Sequence, residues 1–322
     1  MSPAAAGRGR DGGLCEVVLS FLHVFVYCRL KLSTIDHEIA SQPSIWRRTE
    51  AFVAERGGLL PAAGERVALI GCGTSYYVAQ ALASLREGAG LGESDAFAAS
   101  EWPAGRRYDR VVAISRSGTT TEVVRALEAS PGNRRLAITA LADAPVTAAA
   151  EAALVLDFAD EEAVVQTRFA TAVLALGRAW CGQPLEPAAA AAEAALTEAP
   201  PAELGERDHF VFLGRGWTVG LAAEAALKVR ECAGAWAEAY AAMEYRHGPI
   251  SAASERSLVW ALGEVDPAVL AAARATGATV RAVDADPMAE LVQAQRLAVA
   301  KARAVGRDPD FPVHLTRSVV LT

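Results

Sequence analysis

Residues Arg66–Ser75 read "RVALIGCGTS". The unbroken apolar run Val67–Ile70, closed by Gly-x-Gly, predicts a strand buried on both faces and ending in a tight turn. Helical spacing follows in "YYVAQALASLREGAG". The alternation then continues with the strand "RVVAIS", a helix from about Thr120 to Ala129, the strand "RLAITAL", the segment "ALVLDF", and a long helix over roughly Val164–Trp180. An amphipathic helix over roughly Ile35–Glu55 precedes all of these. Strands alternating with helices call for a parallel sheet covered on both faces. The pattern restarts at "HFVFLGRGWTVG" (His209–Gly220), an echo of "RVALIGCGTSYY", and "SLVWALGEVD" and "TVRAVDAD" stand where "RVVAISRSGT" and "RLAITALAD" stood. The expected fold is therefore α/β: two duplicated three-layer α/β/α sandwiches with parallel sheets, plus a C-terminal tail.

This organisation gives an extension over 1–33, a helix over 34–56, a first α/β domain over 57–186, a linker over 187–204, a second domain over 205–306 and a tail over 307–322. The alanine- and proline-rich run "PLEPAAAAAEAALTEAPPAE" reads as a helix plus that linker. The apolar stretch "VVLSFLHVFVYC" (Val17–Cys28) is shorter than the roughly 20 residues a bilayer span needs. It is read as part of a dispensable extension, and no membrane partner is expected.

The chain has 322 residues, 52% of them hydrophobic and 21% charged, with a net charge of −7. Such an acidic balance argues against a nucleic-acid partner. Five scattered cysteines without a CxxC pair suit a reducing cytoplasm and offer no metal cluster. Lysine is scarce: Lys31, Lys228 and Lys301 are the only ones among 31 basic residues. A chain that prefers arginine so strongly keeps lysine where a permanently protonated guanidinium would fail.

Two segments carry chemistry. "AISRSGTTTE" (Ala113–Glu122) concentrates hydroxyls around a glycine at a strand end. The plain alternative is a capping box of Thr119 with Glu122. The chemical one is an anion site, in which backbone N–H groups and the hydroxyls of Ser115, Ser117 and Thr120 converge on a phosphate monoester. In Leu221–Ile250, Glu224, Lys228 and Glu231 fall at i, i+4 and i+7 on one face of an otherwise apolar helix. That face is expected to line a cleft. With His247 ahead of Gly-Pro, carboxylate, amine and imidazole form the acid–base equipment that moving a proton between C1 and C2 of a sugar phosphate requires. Neither Gly-x-Gly extends to a dinucleotide fingerprint, and no cofactor or metal is implied.

"GCGTS", "SRSGTT", "ALKVRE", "AEAYAAMEYRHGP" and "HLTRSVVLT" occur in an order that resembles the sugar-isomerase (SIS) domain family. The likeness runs from about residue 35 to 322. It is nearest to the isomerase half of glucosamine-6-phosphate synthase (glutamine–fructose-6-phosphate aminotransferase) and to amino-sugar-phosphate isomerase/deaminases. The resemblance implies that Ser115, Arg116, Ser117 and Thr120 hold the phosphate, with Thr74 and Ser75 at the neighbouring strand end. It makes Glu231 the base, Lys228 its electrostatic partner and Glu224 a positioning group. Gln166 and Thr167 would line the sugar site, and His247 would open the ring from across a homodimer interface. Arg317 stands where the synthase has an imine-forming lysine, and is expected to clamp the phosphate or a sugar hydroxyl. The implied activity is isomerisation or deamination of an (amino)hexose 6-phosphate or ketosamine phosphate, without a glutaminase domain. A non-catalytic sugar-phosphate sensor and a deglycase of a sugar-phosphate–amine adduct are the alternatives.

Overall fold

The computed structural model describes residues 33–199 and 206–321. The expectation for residues 1–33 thus falls, but for Ser33, outside the described residues. In the first sheet, β1 (Val67–Gly71), β2 (Ser94–Ala98), β3 (Arg110–Ile114), β4 (Arg134–Thr139) and β5 (Ala152–Val155) pair in the order β2-β1-β3-β4-β5. In the second, β6 (His209–Gly214), β7 (Trp236–Ala241), β8 (Ser257–Ala261) and β9 (Thr279–Arg281) pair as β7-β6-β8-β9. Every pairing is parallel.

Alternation along the strands sorts side chains into three cores. Val67 and Leu69 of β1 and Leu258 and Trp260 of β8 point into one shared cluster. The helices α1 (Thr34–Arg56), α2 (Thr74–Gly88), α5 (Arg168–Trp180), α6 (Glu186–Thr197), α7 (Thr218–Ala233) and α9 (Pro287–Ala304) fill it. Ala68 and Ile70 face the other way, onto α3 (Thr121–Glu128) and α4 (Pro145–Ala148). Val259 and Ala261 pack on α8 (Pro267–Ala275). From Thr34 onward the chain is one compact unit, because both sheets bury a face in the same helical layer. Within the alanine run read as helix plus linker, Glu186–Thr197 form α6, whose Ala188, Ala189 and Ala192 are buried, and residues 200–204 of the expected linker lie outside the described residues.

Three features fix this layer. Gln42 of α1 donates to Gln295 of α9 (2.7 Å) and accepts from Thr171 of α5 (2.7 Å), and Trp46 donates to Thr171 (3.0 Å). At the crossing of α2 and α7, Gly220 leaves no room: a Cβ there would lie 2.5 Å from the Tyr77 carbonyl oxygen and 2.8 Å from the Ala81 nitrogen. At the entrance to α1, Asp310 reaches back from the irregular segment after α9 and accepts from the backbone N–H groups of Thr34 (3.1 Å) and Ile35 (2.9 Å).

Two local expectations need correction. The long helix begins at Arg168 rather than near Val164, because the Glu161 carboxylate takes the N–H groups of Thr167 (2.6 Å) and Arg168 (2.7 Å) and stops it there. The capping box is not formed: α3 starts after Thr120, and no side chain caps it.

The α2–α7 crossing generates a prediction. Backbone atoms cannot yield to an added methyl as a side chain can, so Gly220→Ala should destabilise the fold by roughly 1–3 kcal/mol. Urea denaturation checks this, and an unchanged midpoint would show that the helices part freely.

Candidate active site

Ligands of parallel α/β sheets sit at the carboxyl ends of the strands, and both diagnostic loops lie there. The loop after β3 is built from its own hydroxyls. Ser115 Oγ accepts from the Gly118 N–H (3.1 Å), and Ser117 Oγ accepts from the N–H (3.3 Å) and hydroxyl (3.0 Å) of Thr119. Each serine is spent as an acceptor and keeps its own hydrogen to donate. Gly118 is required here, with φ of 65° and a would-be Cβ 2.4 Å from that of Ala144.

The predicted face of α7 is charged and buried. Lys228 Nζ lies 2.5 Å from Glu231, 3.3 Å from Glu224 and 3.0 Å from Thr74 Oγ1 at the start of α2, and Thr74 in turn donates to Glu224 (3.3 Å). Burial alone would pull the Lys228 ammonium down, but the two carboxylates outweigh it and hold it above the ordinary lysine value. Burial pushes Glu224 up to about 7, against the pull of Lys228 and with the push of Glu231. Glu224 and Lys228 each show 1% of the side chain to solvent, Glu231 19%. Glu231 is thus the member of the cluster able to meet a ligand.

It lines a cavity of about 190 Å³ together with Thr74, Thr120, Gln166 and Arg317, and it also borders a more open depression of about 350 Å³ with Arg230, Arg307 and His314, to which neither diagnostic loop contributes. Residues 315–319 line the first of these spaces, and beside it the Val319 carbonyl accepts from the Thr121 N–H (3.3 Å) and the Leu321 N–H donates to Thr121 Oγ1 (2.9 Å). A larger depression of about 540 Å³ opens before β3 and β4, at the amino ends of the strands and away from both loops. Position rather than size marks the site.

Other predicted residues lie around the cavity or away from it. Ser75, Ser115 and Ser117 are buried. Thr167 donates its hydroxyl to Glu161 (2.8 Å). Arg116 is buried too, its guanidinium on the carbonyls of Ala163 (2.8 Å) and Arg317 (2.9 Å). The Arg317 guanidinium makes two bonds to Asp160 (2.7 and 2.9 Å). His247 is exposed on a loop beyond β7, and it is not among the residues that line this cavity.

Sequence reasoning missed two groups. Cys72 and Glu122 line the cavity, although Glu122 reads in sequence as an ordinary first-turn acid. Glu38 of α1, 2% exposed, accepts from the N–H groups of Glu162 (2.6 Å) and Ala163 (3.3 Å) and so holds the loop that carries Gln166. Only its spacing within α1 could have flagged it, as an acid on a buried face.

The fold and the cavity define a parallel α/β protein with a carboxylate–ammonium pair at the strand ends, and the chain is similar to proteins of known class. A glutamine–fructose-6-phosphate aminotransferase [isomerizing] of Symbiobacterium thermophilum is 30% identical over 315 residues, which cover 80% of this chain and 52% of that protein. Glucosamine-6-phosphate deaminase of Thermotoga maritima superposes with a TM-score of 0.74 at 27% identity, over 90% of this chain and 100% of that one. The C-terminal domain of glucosamine-fructose-6-phosphate aminotransferase from Francisella tularensis gives 0.73 at 20% identity, over 88% and 99%. No model of a known protein family matches the chain. Over most of its length the chain is thus similar to the isomerase (SIS) part of glutamine–fructose-6-phosphate aminotransferases and, in fold, to SIS phosphosugar isomerases and a glucosamine-6-phosphate deaminase. It spans about half the length of the curated relatives it matches. Among the described residues no helix is long and apolar enough to cross a membrane.

Glu38 yields a pH prediction. Burial first, and Glu161 next, push its carboxyl from near 4.5 to about 7, so the folded protein holds this proton more tightly than the unfolded chain. Stability should therefore fall as pH rises through that window. Glu38→Gln should shrink the loss between pH 5 and pH 8 in urea titrations, while Glu224 keeps its share. An unaltered pH profile would refute the assignment.

Proposed function

We propose that the chain is a sugar-phosphate isomerase or deaminase, acting on an (amino)hexose 6-phosphate or ketosamine phosphate by proton transfer between C1 and C2. One observation carries this reading: Glu231 alone of the buried charge cluster reaches the cavity, with the Lys228 ammonium 2.5 Å behind it. A carboxylate so placed can take a proton from a sugar carbon and return it to the next. The adjacent fixed cation favours the negative charge that develops in between. Lys228 stays an ammonium and serves as that cation, while Glu224 and Thr74 hold it in place.

The phosphate would rest on Ser115, Ser117 and Thr120 at the start of α3, with Thr74 and Ser75 beside it. Gln166 and Thr167 belong to the loop that walls the sugar site. Arg116 would act through this loop, as a strut between it and the chain end. Arg317 would have to leave Asp160, or share it, to clamp a ligand. His247, exposed beyond β7, would open the ring of a substrate held by a second copy of the chain in a homodimer. The shared order of β2-β1-β3-β4 and β7-β6-β8-β9 supports two duplicated SIS units, with the tail over the site. The named activities of the relatives, an isomerizing aminotransferase and a glucosamine-6-phosphate deaminase, agree with this chemistry.

Glu231→Gln should slow exchange of the C1 or C2 proton with heavy water by about a hundredfold or more, while sugar-phosphate binding persists. NMR follows the exchange, and a wild-type rate would move the base elsewhere. A second outcome concerns imine chemistry. Among the described residues the lysines are Lys228, locked in its ion cluster, and Lys301, which donates to the Arg207 carbonyl (2.9 Å). Borohydride treatment with fructose 6-phosphate should leave no lysine adduct in the mass spectrum. An adduct would establish an imine route.

A further inference from the structure

The depression of about 540 Å³ at the amino ends of β3 and β4 has no part in the proton-transfer chemistry, yet it is firmly built. Residues 104–109 before β3 and 131–133 before β4 form most of its wall. The two loops are tied together, because the Tyr108 N–H donates to Asn133 Oδ1 (3.0 Å). The Tyr108 hydroxyl donates to Asp95 of β2 (2.7 Å), which anchors this buried side chain from below.

The charges on the wall are one-sided. Arg66, Arg106 and Arg107 stand against a single carboxylate, Asp109, one of whose oxygens accepts from the Arg66 N–H (2.8 Å). Arg66 has an ion pair with Glu93 (3.1 Å), open to water on both sides and therefore weak. Arg106 and Arg107 form no ion pair among the described residues. Arg106 lies over the Phe97 ring (5.5 Å) and Arg66 over the Tyr108 ring (5.0 Å). An aromatic face holds a guanidinium by its flat side and leaves the N–H groups at its rim free for an anion. The backbone N–H groups of Gly105, Arg107 and Gly132 have no acceptor among the described residues either. In a chain of net charge −7, this hollow gathers cations that repel one another and jointly attract an anion.

The arrangement narrows the kind of anion. Guanidinium forks match phosphate oxygens two at a time. Arg66 precedes β1 while Arg106 and Arg107 precede β3, so cations approach from two neighbouring strands. That spread suits linked phosphates better than a single one. A nucleotide would need an open apolar face for its base, and the wall offers none: Arg66 covers the Tyr108 ring, and Ala104, Gly105, Pro131 and Gly132 present no flat surface. We propose that this hollow is a second anion site, which binds inorganic pyrophosphate or a short polyphosphate through Arg66, Arg106 and Arg107. It stands apart from the sugar-phosphate reading. The neutral hydroxyls assigned to the sugar phosphate lie at the opposite, carboxyl ends of the same strands, so both places can be filled at once.

Calorimetric titration of the full chain with sodium pyrophosphate tests the assignment. The wild type should bind one equivalent, more weakly as salt is added. Replacing both loop arginines, Arg106→Gln with Arg107→Gln, should weaken binding about tenfold or more. Asp109→Asn keeps an oxygen for the Arg66 N–H and removes the opposing charge, so it should tighten binding. Saturating fructose 6-phosphate should leave the affinity unchanged, and adenosine diphosphate should bind no more tightly than pyrophosphate. No binding by the wild type, or an affinity that survives the loss of both arginines, would overturn the proposal. Displacement by fructose 6-phosphate would overturn it too, by moving the pyrophosphate to the sugar-phosphate cavity. Tighter binding of adenosine diphosphate would replace the inorganic ligand with a nucleotide and so reject the assignment.

Discussion

A buried ammonium with two carboxylates is the constraint around which the molecule is arranged. Lys228 lies on α7, which packs beside the second sheet, yet one of its partners is Thr74, the first residue of a helix that covers the first sheet. Desolvated charges are tolerable only while each keeps its partners; removing one costs about 3–5 kcal/mol in comparable settings. The cluster is thus complete only when α2 and α7 have met at the right height. Gly220 permits that approach by presenting bare backbone to Tyr77 and Ala81. Packing and chemistry are here one contact described twice.

The layout of the site follows from a division of labour among polar groups. Glu38 and Glu161 each turn one oxygen on backbone N–H groups of residues 162–168 and so shape a loop that has no regular structure of its own. Arg116 ties that loop and the chain end to the turn after β3. The hydroxyls of Ser115 and Ser117 brace the same turn from within. Few of these groups face the cavity. Most fix the positions of those that do.

How far this was legible in the sequence depended on which physical signal each element left. "VALI" and "RVVAI" announced central strands because both faces are buried, and the i, i+4, i+7 charges on apolar α7 announced a buried cluster. Two of the four edge strands were silent. "SDAFA" and "WAEAYA" are only partly buried and carry no apolar run, so neither β2 nor β7 was expected. The start of α5 was misplaced because its determinant, Glu161, sits seven residues before Arg168, outside any standard capping spacing. Glu122 was visible but misread, since an acid in a first helical turn usually serves the helix rather than a cavity. Which side chains face inward at the site is a tertiary fact, set by how the loops of the first sheet stand against α7.

Asp310 carries a consequence for the order in which the chain assembles. It supplies the acceptors for the first N–H groups of α1 across 275 residues of sequence, after both sheets and all the helices between them. A loop of that length closes late, because its entropy must be met before the contact returns anything. Until Asp310 docks, the first N–H groups of α1 lack these two acceptors. Amide protection at Thr34 and Ile35 is accordingly a clock for the final step of folding, recorded at the opposite end of the sequence from the residue that completes it.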